Sequence, residues 1–346
     1  MRNILSGRLA SRPELGSLLS LALIIAFYVV FGGVDLVQMA GAASWVNLAA
    51  NLGVVALPVG LLMIAGEIDI SIGAMIPAGS MTVAILSGHY GLPIGVGIAG
   101  ALALGLVVGL VNGLIATRTS VPSLIITLGT LMAVQGLVLA GAQLLAGNAS
   151  VALTAPDWAK TVFGQLIAGK YQVIILWWIG LAVVFHFVLH VSPVGNWIFA
   201  LGGDEVSARN AGIPTRRLKI ALFMASSTAA AFVGMCGAIV FNSAQVSGGM
   251  GYIFNAIVSI VVGGVLLTGG FGSVAGIVIG CITFSIVSQG IYFTQIDRNW
   301  ANLIIGIMLL LAVGLNEAFR KLALSAPRKV SAPAQPTPVT TPKAAR

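Results

Sequence analysis

Apolar residues in this chain come in runs long enough to cross a lipid bilayer. Ten such runs are readable, at roughly Leu15–Phe31, Val46–Ala65, Ile70–Leu86, Ile94–Thr117, Leu124–Leu145, Val173–Leu189, Leu218–Asn242, Phe254–Leu267, Val274–Phe293 and Leu303–Phe319. Long unbroken apolar runs are the signature of membrane-spanning helices, each needing about 20 residues for a full crossing. Only 8% of the 346 residues are charged, against about 25% in a soluble domain, so a water-soluble fold of this size could not cover its surface. The expectation is an all-α polytopic membrane helix bundle of about ten transmembrane segments. The runs from Ile70 and Phe254 are short, and are expected to be broken or re-entrant, which is tolerated only inside a protein bundle or along a cavity.

Within this frame the 44 glycines read as small residues that let helices pack closely, as in Gly105–Gly109 and Gly276–Gly280. The basic residues set the orientation. With ten spans and the N-terminus inside, Arg2, Arg8, Arg12, Arg118, Arg209, Arg216, Arg217, Lys219 and the basic tail face the cytoplasm, and only Lys160, Lys170 and Arg298 fall outside. The net charge of +8 therefore points to membrane lipid and not to nucleic acid. The expected layout is a cytoplasmic N-terminus at 1–14, a membrane domain at 15–320, and a Pro- and Ala-rich disordered cytoplasmic tail at 321–346. The first run is expected to stay as an anchor, since no cleavage pattern follows it promptly. The stretches Gly66–Ile85 and Gly269–Ile286 both follow an apolar run with a Gly-rich turn and a small-residue helix, the pattern of a transporter built from repeats.

The most informative loop lies between the sixth and seventh runs and reads Gly202-Gly203-Asp204-Glu205-Val206-Ser207-Ala208-Arg209-Asn210-Ala211-Gly212-Ile213-Pro214. Asp204 suits a helix N-cap, Glu205 its positive first turn, and Gly212 with Pro214 its stop. This predicts a helix of about two turns with a basic cluster behind it. On chemistry alone it is either a peg that docks into a cytoplasmic partner or an ordinary capped loop. Asp69 stands at a span edge, where a charge must face protein or water; Asp69 and Ser71 are suited to cap the following helix or to touch a substrate. Asn51, Thr127, Thr130 and Asn242, with Asn112, Gln135, Asn255 and Gln289, are polar groups inside runs. They are candidates for a path for uncharged polar solutes or for interhelical hydrogen bonds.

Several signals carry no weight. Gly164–Tyr171 nearly spells a phosphate-binding loop, but Tyr171 stands where Ser or Thr is needed for magnesium. His89, His186 and His190 have no metal-like neighbourhood, so no metal site is expected. Cys236 and Cys281 read as buried free thiols. No catalytic set is present, neither HExxH, GxSxG nor paired carboxylates.

The loop at 202–217 resembles the ATPase-docking coupling loop of the ribose/xylose/arabinose-type ABC transporter permeases, usually Gly-Gly-Asn-Glu-x-Ala-Ala-Arg-x-x-Gly-Ile/Val. It matches at Gly202, Gly203, Glu205, Ala208, Arg209, Gly212 and Ile213, and departs at Asp204 and Ser207. Gly66–Gly73 resembles that family's Gly-Gly-Ile-Asp-Leu-Ser-Val-Gly, with Glu67 as the departure. Pro122–Thr130 and Gly263–Ser273 resemble two further motifs, and the likeness runs in order from about Asn47 to Asn316. The resemblance implies a multi-pass inner-membrane permease with both termini cytoplasmic, related in fold to the vitamin B12-type importers. It implies a sugar importer that is a permease homodimer, binds no cofactor itself, and works with ABC ATPase subunits carrying ATP and magnesium and with an external sugar-binding protein. Gly203, Asp204, Glu205, Ala208, Arg209 and Gly212 would be its ATPase-coupling residues. The alternative is a stand-alone secondary transporter or channel for a small polar solute, against which stands the near absence of intramembrane charges beyond Asp69.

Overall fold

The computed structural model describes residues 14–294, 297–300 and single positions between 303 and 314. The expected terminal stretches, save Glu14, lie outside the described residues, as does most of the run Leu303–Phe319. The chain forms α1 (Glu14–Gly32), α2 (Met39–Ile64), α3 (Ile72–Val83), α4 (Ile94–Arg118), α5 (Ser123–Ala146) and α6 (Ile174–His186). It continues with α7 (Pro193–Gly203), α8 (Glu205–Asn210), α9 (Thr215–Phe241), α10 (Met250–Val262) and α11 (Val274–Gly290). π-helical turns extend α3 over Ala84–His89 and α6 over Phe187–Val191.

With those extensions, 7 helices are long and apolar enough to cross a membrane, and α1 and α10 are shorter apolar helices. The chain is thus a multi-pass all-α membrane protein. Of the ten expected runs, nine coincide with helices of the described part, but only seven reach spanning length. The short α10 has a structural reason. Gly249 packs against the Gly73 carbonyl and Pro77, so the helix starts inside the bundle and not at its edge.

α2, α3 and α9 form the centre, and α2 is buried almost throughout its second half. α5 and α6 lie outside and expose Leu137, Leu144 and Val184 to the surroundings, as lipid-facing helices do. One end of the bundle carries α8, Arg118 and the turns at Gly66 and Gly269. The far end carries two small antiparallel sheets. There β1 (Ser150–Ala152) pairs β4 (Ser243–Gln245), with Val151 opposite Ala244, and β2 (Leu166–Ile167) pairs β3 (Tyr171–Gln172). The phosphate-loop look-alike is this second hairpin, turning through Ala168 and Gly169 at positive φ. The two candidate repeat stretches meet at the α8 end, where the Gly270 N–H donates to the Ile64 carbonyl at 2.8 Å.

Glycine spacing explains why α4 and α9 lie so close. A Cβ on Gly105, Gly109 or Gly113 would come within 2.6, 2.5 and 2.7 Å of the Cα atoms of Thr228, Met224 and Ile220. Steps of four residues on both helices place these positions along one line of contact. Apolar side chains give no hydrophobic advantage over lipid tails, so close small-residue contact carries the association. Gly109→Leu is expected to destabilise the fold by about 3 kcal/mol, since backbone has to move. A lowered unfolding temperature in detergent checks this, with Gly129→Leu, which meets open space, as the control that stays unchanged.

Candidate functional site

At the α8 end the chain leaves α7, turns, and forms α8. Asp204, in extended conformation, accepts a hydrogen bond on Oδ1 from the Ser207 N–H at 2.5 Å. That N–H holds the exposed Asp204 carboxyl below the usual carboxylate range. The other end of α8 closes in a Schellman motif: Gly212 N–H donates to Arg209 O (3.0 Å) and Ile213 N–H to Ala208 O (3.1 Å). The motif needs a left-handed residue, and Gly212 has φ +82°. The six expected coupling residues therefore divide by role. Asp204 and Gly212 end the helix, Ala208 is buried beneath it, and Gly203 and Arg209 are exposed. Glu205 Oε1 accepts from Arg209 Nη2 at 2.9 Å, and its Oε2 from Lys219 Nζ at 2.7 Å. The Lys219 hydrogen bond holds the Glu205 carboxyl below its ordinary value. Val206, passed over in the sequence, is the exposed apolar side chain at the middle of α8.

Between α2 and α3 the backbone is not helical, and its donors need partners. α2 ends in a Schellman motif at Gly66 (φ +86°), with Gly66 N–H on Met63 O and Glu67 N–H on Leu62 O. Ile68 N–H then donates to Ser123 Oγ (3.2 Å) and Ile70 N–H to Thr127 Oγ1 (3.3 Å), both on α5. Ser71 N–H donates to Asp69 Oδ1 at 2.9 Å. Asp69, fully buried, collects further donors. Ser71 Oγ bonds its Oδ1, and Ser226 Oγ (2.8 Å) and Ser227 Oγ (3.4 Å) on α9 bond its Oδ2. Asn112 Nδ2 donates to Ser71 Oγ at 3.0 Å, and Thr130 Oγ1 to Asn112 Oδ1 at 2.6 Å. Asp69, Ser71, Thr127 and Thr130 are thus brought together, but as one enclosed network joining α4, α5 and α9 to the break. Glu67 is held at the same break by a residue of α9. Its side chain is 14% exposed and its Oε1 lies 2.5 Å from Lys219 Nζ.

A cavity of about 410 Å³ opens between α3, the second half of α9 and the segment after β4. Asn51 lines it and donates to Gln172 Oε1 at 2.7 Å. Ser80, Ser243, Gln245, Ser247 and Tyr252 add polar groups, and Phe163 and Phe241 add aromatic faces. Among the described residues no charged side chain lines it. Asn242 does not. It caps α9 in a left-handed conformation (φ 53°), and its carbonyl accepts from Leu153 N–H at 2.9 Å. Among the described residues no group of three His, Cys, Asp or Glu side chains is placed to hold a metal.

The sequence family described as the permease component of a branched-chain amino acid transport system matches residues 41–313. The chain belongs to this permease family. A probable ABC transporter permease, y4mJ of Sinorhizobium fredii, is 31% identical over 282 residues, covering 80% of this chain and 83% of that protein. The fructose import permease FrcC of Rhizobium meliloti is 28% identical over 91% of this chain and 88% of its own. The ribose import permease RbsC of Escherichia coli K12 is 28% identical over 73% and 78%. No solved structure matches the permease.

Two predictions follow from the permease's site geometry. Asp69→Ala strands the hydroxyls of Ser226 and Ser71 inside the bundle and is expected to cost about 3 kcal/mol, read as a lower unfolding temperature in detergent. Because Asp204 and Glu205 are held below their ordinary values in the folded protein, the stability they lend α8 is full above the ordinary carboxylate range. It is lost as pH falls through and below that range, about pH 4. Hydrogen exchange at residues 205–210, corrected for intrinsic rate, is expected to accelerate on acidification before that of α9.

Proposed function

We propose that the chain is the membrane-spanning subunit of an ABC importer in the bacterial inner membrane, passing an uncharged monosaccharide or sugar alcohol toward the cytoplasm. The observation that carries the substrate class is the uncharged polar cavity. An amino acid is a zwitterion at neutral pH, and charges taken out of water require charged or strongly hydrogen-bonding partners. The cavity lining offers amides, hydroxyls and aromatic faces instead, the groups that satisfy a polyol. Its volume falls in the range of about 300–1,000 Å³ usual for small-molecule sites. Relatives named for fructose and ribose import support the same class. Asn51 is the sequence-expected path residue that lines the cavity.

In this reading the loop 202–217 is the coupling loop, and the α8 end is cytoplasmic, with both termini on that side. Arg118, Arg209, Arg216, Arg217 and Lys219 cluster there, as inside-positive anchoring requires. Exposed Val206 and Arg209 form the docking face for an ATPase subunit, which carries ATP and magnesium and performs the hydrolysis. A second copy of the permease completes the pore, an external binding protein delivers the sugar, and the bundle shares the ten-segment plan of vitamin B12-type permeases. A stand-alone transporter would need an accessible coupling charge, whereas Asp69 is enclosed by hydrogen bonds.

The test is uptake of labelled sugars, polyols and leucine by the native host, with and without the chain, next to co-purification of the ATPase. Loss of sugar uptake alone is expected on deletion, and Val206→Asp is expected to abolish ATPase recovery with the permease still folded. Loss of leucine uptake alone would overturn the sugar reading.

A further inference from the structure

We propose that Lys219 is a positioning residue that couples α8 mechanically to the Asp69 break through Glu67. The proposal rests on α8 being the ATPase-docking helix and adds the route by which its movement enters the bundle. Lys219 stands on the first turns of α9 with its side chain 8% exposed. Its ammonium group lies 2.5 Å from Glu67 and 2.7 Å from Glu205. One carboxylate belongs to the α2–α3 break and the other to α8, so a single cation joins two elements that are otherwise separate in sequence. Enclosed ion pairs are screened little by salt and are sensitive to geometry.

The arrangement is more than an anchor for a loop. Lys219 and Ser226 are seven residues apart on α9, hence on the same face, about 10 Å along the axis. Glu67 and Asp69 alternate along the break and meet them in the same order. The break is therefore gripped by α9 at two heights. At the lower point the grip is shared with α8. Beyond Asp69, the hydrogen bonds through Ser71 reach Asn112 and so α4. A tilt or shift of α8 drags Glu205, moves the Lys219 ammonium group, and changes the pull on Glu67 two residues from the enclosed carboxylate. The resembling family pattern has glycine at the place of Glu67, so this link is a property of this chain's own residues.

The test uses the complete transporter, permease with its ATPase and binding protein, in proteoliposomes. Three quantities are read: ATPase subunit recovered with the permease, ATP hydrolysed, and sugar moved per ATP. Glu67→Gln keeps size and packing while removing one arm of the bridge. It is expected to leave ATPase recovery unchanged and to lower sugar moved per ATP roughly tenfold. Lys219→Met is expected to do the same with a lower unfolding temperature, because it leaves Glu67 without its partner. The double variant Glu67→Gln, Lys219→Met removes the stranded charge. Its unfolding temperature is expected to recover while sugar moved per ATP stays low, whereas Lys219→Arg restores both. If Glu67→Gln moves as much sugar per ATP as wild type, or if the double variant recovers coupling together with stability, Lys219 is a structural anchor only and the proposal falls. Failure of wild type to bind any ATPase subunit would instead overturn α8 as the docking helix, and this proposal with it.

Discussion

An interrupted helix inside an apolar bundle leaves backbone donors in need of partners, and at the break between α2 and α3 this chain supplies them from the end of α2, from α5 and from Asp69. The Schellman turn at Gly66 returns two amides to α2, and Ser123 and Thr127 take those of Ile68 and Ile70. Asp69 then takes the amide of Ser71. Its second oxygen is left for α9, and Ser226 and Ser227 fill it. The solution ties four helices to one short non-helical stretch. Nothing apolar could replace it, because hydrocarbon offers no partner for a stranded N–H. The placement of α3, and with it one wall of the cavity, depends on this carboxylate.

α9 is the common wall that joins the two ends of the molecule. It is 27 residues long, about 40 Å at 1.5 Å per residue. Its first turns hold Lys219, its middle holds Ser226 and Ser227, and its last turns line the cavity. The glycine line on α4 sets it against its neighbour with backbone nearly touching backbone. Close small-residue packing lets the two backbones approach and carries their association through van der Waals contact. A rigid rod with polar clamps on its lower half is suited to carry a displacement from one end to the other.

Much of this was legible in the sequence, and the parts that were not share a cause. The apolar runs located the helices, and the capping pattern Asp204 to Gly212 located α8 within a residue, because both signals are local. The polar residues Thr127, Thr130 and Asn112 were visible as groups, but whether they face a path or each other depends on helix rotation, which an almost uniformly apolar helix does not encode. Asn242 stood between a path residue and an interhelical bond, and it is found as the left-handed cap of α9, outside the cavity lining, a role that a terminal position would have signalled. Gln172, Gln245 and Tyr252 were missed because they sit in or beside loops, where polar and aromatic residues are ordinary. The Glu67–Lys219 pair joins residues far apart in the chain. Only the departure of Glu67 from the family pattern hinted that the position held a partner.

The distribution of charge then separates two tasks along one helix. Charges cost most where they are buried without partners, and this chain places its cluster of paired charges, Glu67, Glu205, Arg209 and Lys219, at the end where α8 sits. The cavity toward the opposite end has none. On the proposed function, an uncharged polyol would exchange hydrogen bonds with these amides and hydroxyls at little net cost. A charged lining would hold water or ions in its place. In that same proposed function, the strong, geometry-sensitive interactions stand at the ATPase-facing end and the weak, interchangeable ones along the sugar's path. The enclosed Asp69 lies between the two, with its acceptor oxygens occupied by protein donors.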